Sequence, residues 1–394
     1  MEDNTRSILG LSASHVVNDI YSPVLPAILP LLILQNGYSY FLAGLLITVY
    51  NLTSSFTQPF IGWLYDNKGI SIPVPVSILF CAFFMSFLGF VQGSYWMILL
   101  FGIGAALGHA FFHPSALGLV SRLAKGSNRG KLTSYFVVGG NLGFALGPLL
   151  VGIAVGFYGL AGLSLLFIPG LAMALILIKV LPKNFNTHKE EINEEKNKTG
   201  RRFPYLPITL LVIASALRSW VIFASIAYLP TYLTEQGFDL LTANVLTSLM
   251  LIAGVVGQVA GATISDRYGR KEYTLFGLAA SIPPFILFIL ADGWISVISL
   301  IVFGYFLWST FSVTVAMSHE IAPAGTGTVS GLMLGLGVGA GGLGVAVTGY
   351  IADISSVIEA LTWLLIPIAG ALIIFMIVPY PWKTKSLKKN HLID

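Results

Sequence analysis

Long apolar runs recur along the whole chain, and short polar breaks separate them. A helix that crosses a bilayer needs roughly 20 mostly apolar residues. Runs of that size predict about twelve spans, near residues 8–34, 40–65, 72–92, 95–121, 131–156, 160–180, 204–233, 242–265, 273–291, 294–319, 327–351 and 357–379. The pattern therefore predicts an all-α integral membrane protein with spans along its full length.

The composition agrees with a membrane environment. Of the 394 residues, 56% are hydrophobic and 10% are charged, and the mean hydropathy is +0.84. A soluble domain with so few charges could not cover its apolar surface. The single cysteine, Cys81, excludes an internal disulfide and has no cysteine or histidine neighbour at metal-ligand spacing.

Basic residues are distributed unevenly among the polar breaks. In a twelve-helix arrangement, 20 of the 21 lysines and arginines fall on one side, and the opposite breaks carry only acidic charges. The positive-inside rule makes the basic side cytoplasmic. We therefore expect a multi-pass plasma-membrane protein with both termini in the cytoplasm and no nucleic-acid partner. The remaining basic residue, Arg218, lies in the middle of the seventh predicted span.

One long polar stretch, residues 181–203, follows the sixth predicted span. We interpret it as a cytoplasmic linker, since a charged stretch of this kind is usually solvated. It separates an N-terminal six-helix bundle, residues 1–180, from a C-terminal six-helix bundle with a short basic tail, residues 204–394.

The two halves align at a shift of 200 residues. The shift pairs Gly37 with Gly237 and Asp66 with Asp266. Such an internal repeat predicts two pseudo-symmetric six-helix bundles. This is the plan of a large class of secondary transporters, in which substrate binds near the midplane between the repeats.

The same shift places Asn18 opposite Arg218 and Asp19 opposite Ser219. At 1.5 Å per residue, Asp19 lies about 16 Å into the first predicted span, close to its middle. Ionised groups at that depth are rare unless they pair or face water. We predict that Asp19 handles protons and pairs with Arg218 across a central cavity, where Arg218 and Asn18 bind substrate. A purely structural salt bridge is the alternative.

Three histidines accompany these charges. His15 lies four residues before Asp19 and shares its helix face, which suits a proton relay because histidine titrates near neutral pH. A neutral His15 bonded to a neighbouring helix is the structural alternative. His109 and His113 repeat the spacing in the fourth span, and we predict that they contact substrate. They lack the intervening glutamate and third ligand of a zinc site, so we expect no metal and no other cofactor.

Two tight turns on the cytoplasmic side, "GWLYDNKG" and "SDRYGRK", each place an aspartate three residues before a glycine. A structural turn would need only the glycine, so the repeated aspartate favours an inner gate that opens and closes. Glu320, at the end of the tenth span, is expected to contact Arg122, Arg129 or the start of the eleventh span. The predicted gate residues are Asp66, Gly69, Asp266, Arg267, Gly269 and Arg270.

The fifth span, "VVGGNLGFALGPLLVG", and the eleventh, "GLGVGAGGLGVAVTGYIAD", are rich in glycine. Glycine weakens a helix, and in a membrane it usually permits close approach between helices. We expect these spans to form sliding contacts between the halves. Glycines inside apolar spans do not form a phosphate-binding loop, which requires a strand-to-helix turn.

With these motifs in view, the chain resembles the major facilitator superfamily, and within it the fosmidomycin-resistance branch, over nearly its whole length. The resemblance is carried by "SHVVND", "FHPSALGLVSR", "VGGNLGFALGPLL", "SDRYGRK" and "GTVSGLMLGLGVGAGGLGVAVTGYIAD". The fifth span is similar to the superfamily's antiporter motif through Gly143, Gly147, Pro148 and Gly152, although Val151 replaces a glycine of that motif.

This resemblance implies twelve helices around a central cavity, alternating access by rocking of the halves, and export of small drugs or metabolites driven by proton entry. The implied partners are a small-molecule substrate, protons and the lipid bilayer, and we expect a monomer. The first alternative is uptake of a small organic anion or sugar. The second, a membrane-embedded metal-dependent enzyme, would use the histidines, but we expect a transporter and not an enzyme.

Overall fold

The computed structural model describes residues 2–68, 72–124, 129–181, 203–323 and 326–383. Over these residues the chain is helical and contains no β-strand. Its helices are α1 Glu2–Asp19, α2 Val24–Asn36, α3 Tyr40–Lys68, α4 Val74–Ser86, α5 Tyr95–Leu123, α6 Arg129–Tyr158, α7 Phe167–Val180, α8 Tyr205–Glu235, α9 Leu240–Tyr268, α10 Arg270–Leu290, α11 Gly293–Ser309, α12 Phe311–Ile321, α13 Thr326–Ser330, α14 Val338–Ile354, α15 Val357–Thr362 and α16 Leu365–Ile377.

The predicted all-α membrane fold is confirmed. Ten helical segments of the described chain are long and apolar enough to cross a membrane, and Val74–Phe90 is a shorter apolar segment. The remaining predicted span coincides with α3, whose 29 residues would extend over about 43 Å. Several predicted spans consist of consecutive helices: α1 with α2, and α11 with α12.

The first span is interrupted at a proline. Helix α1 ends at Asp19 and α2 begins at Val24. Pro23 has no N–H to continue the helix, and the amide of Ser22 donates to the Asp19 carbonyl at 3.2 Å. Pro30 lies inside α2 and does not end it. The break therefore leaves the Asp19 side chain at the end of a helix in mid-span.

The internal repeat is visible in the backbone. Gly37 and Gly237, which are 200 residues apart, both have positive φ, 67° and 91°. Glycine occupies such conformations without the penalty that a Cβ brings. Each glycine ends the first helical span of its half, since α2 ends at Asn36 and α8 at Glu235.

The helices that follow these glycines begin in equivalent ways. The amide of Leu42 donates to Ser39 Oγ at 3.2 Å, and the amide of Thr242 donates to Asp239 Oδ1 at 2.9 Å. The Thr242 hydroxyl also donates to Asp239, and these bonds hold the pKa of the Asp239 carboxyl below its usual value. Side-chain capping of the first turn is therefore preserved although the residue type differs.

Glycines bring α6 against α1 and α14 against α8. A Cβ on Gly143 would overlap the Val16 carbonyl, and one on Gly344 would overlap the Trp220 ring. The expected close approach is therefore found, but Gly143 and Gly147 contact the first span of their own half. Their missing side chains make room for α1 and Pro23, whereas Gly152 of the same span lies against Asn244 and Leu241 of the second half, so the expected contact between the halves is made at Gly152 and not at Gly143 or Gly147.

Contacts divide the described chain into two compact units. One contains the residues up to 181 together with 226–248, and the other contains 203–225 together with 249–383. The predicted boundaries at 1–180, 181–203 and 204–394 stay a prediction, and residues 182–202 of the predicted linker lie outside the described residues.

Candidate functional site

Asp19 lies among three imidazoles. Its Oδ2 atom is 3.2 Å from His15 Nε2, and its Oδ1 atom is 3.7 Å from His113 Nε2 and 3.9 Å from His109 Nδ1. Asp19 is only 9% exposed. A buried carboxylate is expensive unless partners replace its water. We call His15, Asp19, His109 and His113 the His-Asp cluster.

The His-Asp cluster forms because two helices each present a pair of residues at i and i+4. His15 and Asp19 share one face of α1, and His109 and His113 share one face of α5. The sequence predicts each pair separately. Their meeting depends on the packing of α1 against α5, which the tertiary structure provides.

A backbone carbonyl fixes the orientation of His15. Its Nδ1 atom is 2.7 Å from the Phe136 carbonyl oxygen, and the two rings stack with their centroids 4.1 Å apart. A carbonyl only accepts, so Nδ1 carries a proton and donates it. The other nitrogen, Nε2, therefore faces Asp19 and is the one that gains or loses a proton.

Hydrogen bonds also join the α1 pair to the α5 pair. Asn18 Nδ2 lies 3.0 Å from Asp19 Oδ1 and 3.1 Å from His109 Nδ1. His109 Nε2 lies 2.8 Å from His113 Nε2. The cluster thus forms a connected polar network inside an apolar bundle, with Ser22 3.3 Å from His109 Nδ1 at its edge.

Gly140 of α6 completes this site, and sequence reasoning did not identify its role. A Cβ at this position would overlap His15 Nε2 and lie 2.8 Å from Asp19 Oδ2. The available signal was the density of glycines in the fifth span. It indicates close packing but does not specify which glycine faces the charges.

Three members of the cluster could hold a metal. Ligand atoms of His15, Asp19 and His113 lie within 4.8 Å of one another, and two nitrogens with one oxygen are donors that zinc accepts. Two of these atoms also have hydrogen-bond partners outside the set: His113 Nε2 lies 2.8 Å from His109 Nε2, and Asp19 Oδ1 accepts from Asn18 at 3.0 Å. The expectation of no metal and no cofactor stays a prediction.

Arg218 occupies a different environment, in the middle of α8. It is 1% exposed, and its Nη1 donates to the Thr310 carbonyl at 3.1 Å and to Thr314 Oγ1 at 2.9 Å. The guanidinium also lies 5.2 Å from the centroid of the Phe311 ring. All of these partners are neutral, and the Nε atom has no hydrogen-bond partner among the described residues. The site therefore has positive charge and an unused donor.

The predicted pairing of Asp19 with Arg218 stays a prediction, as does contact of Asn18, His109 and His113 with substrate. In the structure, the Asn18 amide nitrogen lies within hydrogen-bonding distance of His109 and of Asp19. Arg218 has its own partners on α12.

We call the two predicted turns of the inner gate, "GWLYDNKG" and "SDRYGRK", the first and second latch. The second latch contains an ion-pair network. Arg270 lies 2.9 Å from Asp266 and also pairs with Glu320. Gly269 between them has φ of 109°, a conformation that favours glycine. Arg267 lies over the Tyr268 ring, 5.4 Å from its centroid. Glu320 was expected near Arg122, Arg129 or the eleventh span; among the described side chains it contacts Arg270 and Tyr380, and the side chain of Arg129 lies outside them.

The first latch is only partly described. Asp66 lies in α3, but its side chain is outside the described residues, and so is Gly69. The gating role of both latches stays a prediction.

Residues 378–383, which we call the strap, form hydrogen bonds with residues of the second latch and its surroundings. Lys271 Nζ donates to the Val378 carbonyl at 2.8 Å, and Lys383 Nζ donates to the Asp266 carbonyl at 2.6 Å. Burial raises the pKa of the Tyr380 hydroxyl above its usual value, and the hydrogen bond that this hydroxyl donates to Glu320 raises that pKa further. Sequence reasoning missed the strap because "VPYPWK" is too short for a span and runs into a group of lysines, so the pattern predicts only a short basic tail.

Comparisons with known proteins agree on one family. The model of the Major Facilitator Superfamily matches residues 9–344. The chain is 31% identical to the fosmidomycin resistance protein of Escherichia coli K12, over 94% of this chain and 92% of that protein. It is also 27% identical to multidrug resistance protein MdtG of Salmonella paratyphi C, over 66% of this chain and 67% of the relative.

A solved structure shares the fold. A bacterial homologue of the human lysosomal transporter Spinster, in an inward-facing and occupied conformation, superimposes with a TM-score of 0.75. The match covers 94% of this chain and 96% of that chain at 16% identity. At this identity the match supports the fold alone.

We predict that Gly140→Ala disables the His-Asp cluster and leaves the fold intact. The new methyl would displace the tips of His15 and Asp19, which are side-chain atoms and not backbone. Alanine also favours a helix over glycine. Transport should fall by roughly tenfold or more, since displacements near 1 Å can cost up to about 100-fold. Flux into proteoliposomes, at matched protein incorporation, measures it.

The matched control for this prediction is Gly62→Ala in α3. A Cβ there meets nothing within 4 Å, so transport should stay within about twofold of wild type. Equal loss in both variants would show that helical glycines matter here in general and would contradict the specific role of Gly140.

We predict that Lys271→Met releases the strap. Lys271 is 3% exposed and lies 4.8 Å from the Trp382 ring centroid as well as bonding to Val378. Methionine retains the apolar stem but not the charge or the donor. Trypsin should then cut after Lys383 several times faster in the purified protein. The exposed Lys179→Met is the control, and an unchanged cleavage rate in Lys271→Met would contradict the anchoring role.

Proposed function

The chain belongs to the Major Facilitator Superfamily, and from that premise we propose that it is a proton-coupled exporter of a small drug-like molecule or metabolite. It is a multi-pass membrane transporter, and its relatives and structural neighbours are transporters and not enzymes. We propose the coupling ion, the direction of transport and the roles of individual residues.

A single observation supports proton coupling: a buried carboxylate faces three imidazoles. Imidazoles gain and lose protons between about pH 5 and 8. Protons shared among such groups change the charge of a site that has little access to water. A buried charge costs several kcal/mol unless it is paired, so the protonation state strongly biases which conformation is stable.

The proposed cycle uses Asp19 and His15 as the proton-accepting pair. In the deprotonated pair, Asp19 carries a negative charge that needs a cationic or hydrogen-bonding partner, and the predicted partner is Arg218. Proton uptake removes that charge and frees Arg218. Antiport follows if substrate and proton occupy the binding region in turn, while the two bundles alternate access to the two sides.

Substrate recognition in this proposal depends on Arg218 and on His113, the most exposed histidine of the cluster, whose side chain is 22% exposed. Two relatives are named for resistance to fosmidomycin and to multiple drugs. These names support export of a small molecule. We propose that the protein works as a monomer in the plasma membrane with both termini in the cytoplasm, which accords with the basic side of the predicted topology.

The inner latches belong to the same proposal. Ion pairs such as Arg270 with Asp266 and Glu320 stabilise the state in which they form. Exposed pairs are individually worth about 0.2–1 kcal/mol. Such small energies are suitable for a gate, because a stronger lock would stop the cycle.

We predict that Asp19→Asn abolishes proton-driven transport while substrate exchange at zero gradient continues. Asparagine has nearly the shape of aspartate but cannot hold a proton in this pH range. Export in everted vesicles, followed while an imposed pH gradient is collapsed, tests it. Asp292→Asn, at the exposed start of α11, is the control and should respond to the gradient as wild type does. Gradient-driven export by Asp19→Asn would refute the coupling role.

A second candidate function is uptake of a small organic anion. The observations that favour it are the neutral groups that contact Arg218 and its Nε atom, which has no hydrogen-bond partner in the described part of the chain. A buried cation without an acidic partner is stabilised when an anion arrives. An arginine at such a place presents a planar fork that matches a carboxylate or phosphonate.

We predict that Arg218→Lys loses anionic substrates in preference to neutral ones. Lysine keeps the positive charge but not the fork, so affinity for anions should fall by about tenfold or more, given roughly 1.5–3 kcal/mol per charge-assisted bond. A panel of labelled anionic and neutral compounds, assayed for flux in both directions, measures selectivity and direction together. Equal effects on both compound classes would contradict anion recognition by Arg218.

A further inference from the structure

Asn18 connects the α1 pair, His15 with Asp19, to the α5 pair, His109 with His113. It is 0% exposed, and its amide nitrogen lies 3.0 Å from Asp19 Oδ1 and 3.1 Å from His109 Nδ1. An amide nitrogen has two hydrogens and no lone pair to offer. Both hydrogens are therefore donated, one to the carboxylate and one to the imidazole.

The orientation of this amide follows from its partners. If the amide were flipped, the Asn18 oxygen would face the Asp19 carboxylate oxygen at about 3 Å, a contact between two acceptors. In the assigned orientation the Asn18 oxygen is buried and has no hydrogen-bond partner among the residues that the structure describes. An unsatisfied buried acceptor costs about 1–3 kcal/mol, so the two donated bonds are maintained at the expense of the oxygen.

The donated bond determines the tautomer of His109. Since Nδ1 accepts a hydrogen from Asn18, the proton of neutral His109 is on Nε2. That Nε2–H points at His113 Nε2, 2.8 Å away. The proton of neutral His113 must therefore be on its Nδ1. The Asn18 amide thus determines which ring nitrogen carries the proton in both His109 and His113.

With these tautomers, adding a second proton to the ring of either His109 or His113 is unfavourable. A proton added to His109 Nδ1 would face the N–H of Asn18 at 3.1 Å, and one added to His113 Nε2 would face the N–H of His109 at 2.8 Å. Two donors facing each other in a buried site repel and leave both unsatisfied. His15 has no such restriction, because its Nε2 faces the Asp19 carboxylate.

We propose that Asn18 is a positioning residue that keeps His109 and His113 neutral, so that the cluster gains and loses its proton only between His15 and Asp19. This inference rests on the proposed proton coupling for its effect on transport, but its effect on the histidines does not. Without the amide, His109 Nδ1 would be free to take a proton and pair with Asp19 Oδ1, 3.9 Å away. The cluster would then hold two protons instead of one.

The other titratable groups near this site come from neighbouring helices. Tyr50 of α3 lies with its ring centroid 6.2 Å from that of His109 and its hydroxyl 3.3 Å from Ser22 Oγ. Cys81 of α4 is buried close enough to Asp19 to interact electrostatically. Neither forms a hydrogen bond that fixes a histidine tautomer, so that role falls to Asn18.

Asn18→Leu tests the proposal, since leucine has a similar branched shape but no N–H. Nitrogen-15 NMR of histidine-labelled, purified protein reports which ring nitrogen carries the proton, and His109→Gln identifies the His109 signals. In wild type, His109 should stay neutral with its proton on Nε2 as the pH is lowered. In Asn18→Leu, His109 should become doubly protonated. Asn18→Ala provides a second variant if leucine does not fit.

Ser22→Ala is the matched control, because the Ser22 hydroxyl also lies near His109 Nδ1 but is not required for its tautomer. It should leave the His109 proton on Nε2. A doubly protonated His109 in wild type, or one that stays neutral after loss of Asn18, would overturn the proposal.

Transport gives the functional readout. The slope of log transport rate against pH on the acidic side should change from about one proton in wild type to about two in Asn18→Leu. An unchanged slope would overturn the transport consequence of the inference. If transport by wild type itself did not depend on pH, the proposed proton coupling would fail, whereas the NMR result on His109 would still decide the role of Asn18.

Discussion

A carboxylate in the middle of an apolar span must have partners that replace the water it has lost. In this protein, Asp19 has three imidazoles and an amide within 4 Å. Burying an unpaired ion costs several kcal/mol, so the surrounding helices are constrained to bring polar groups to this point. The break at Pro23, the glycines of α6 and the histidines of α5 all serve that requirement.

The two halves of the chain share a backbone plan but carry opposite chemistry at equivalent positions. Asn18 and Asp19 of the first half correspond to Arg218 and Ser219 of the second. Glycines of α6 make room for α1, and glycines of α14 make room for α8 beside Ser219. The same packing therefore accommodates a buried acidic residue, Asp19, in one half and a buried basic residue, Arg218, in the other.

Polar networks of this kind gain specificity from direction as well as from distance. The Phe136 carbonyl accepts from His15, and Asn18 donates to both Asp19 and His109, so each imidazole has a defined tautomer. A network in which every hydrogen is assigned restricts where a proton can enter. The lysine hydrogen bonds of the strap are also fixed in direction, because the lysines donate to backbone carbonyls, which only accept.

The sequence by itself determined the fold and the candidate residues, because long apolar runs, the 200-residue repeat and the i, i+4 spacing are local patterns. It predicted the pairs His15 with Asp19 and His109 with His113 separately. Only the tertiary structure brought the pairs together, placed Gly140 against them and put Glu320 on Arg270. Contacts between helices depend on how their faces pack, and no periodicity within one helix specifies which face of another it meets.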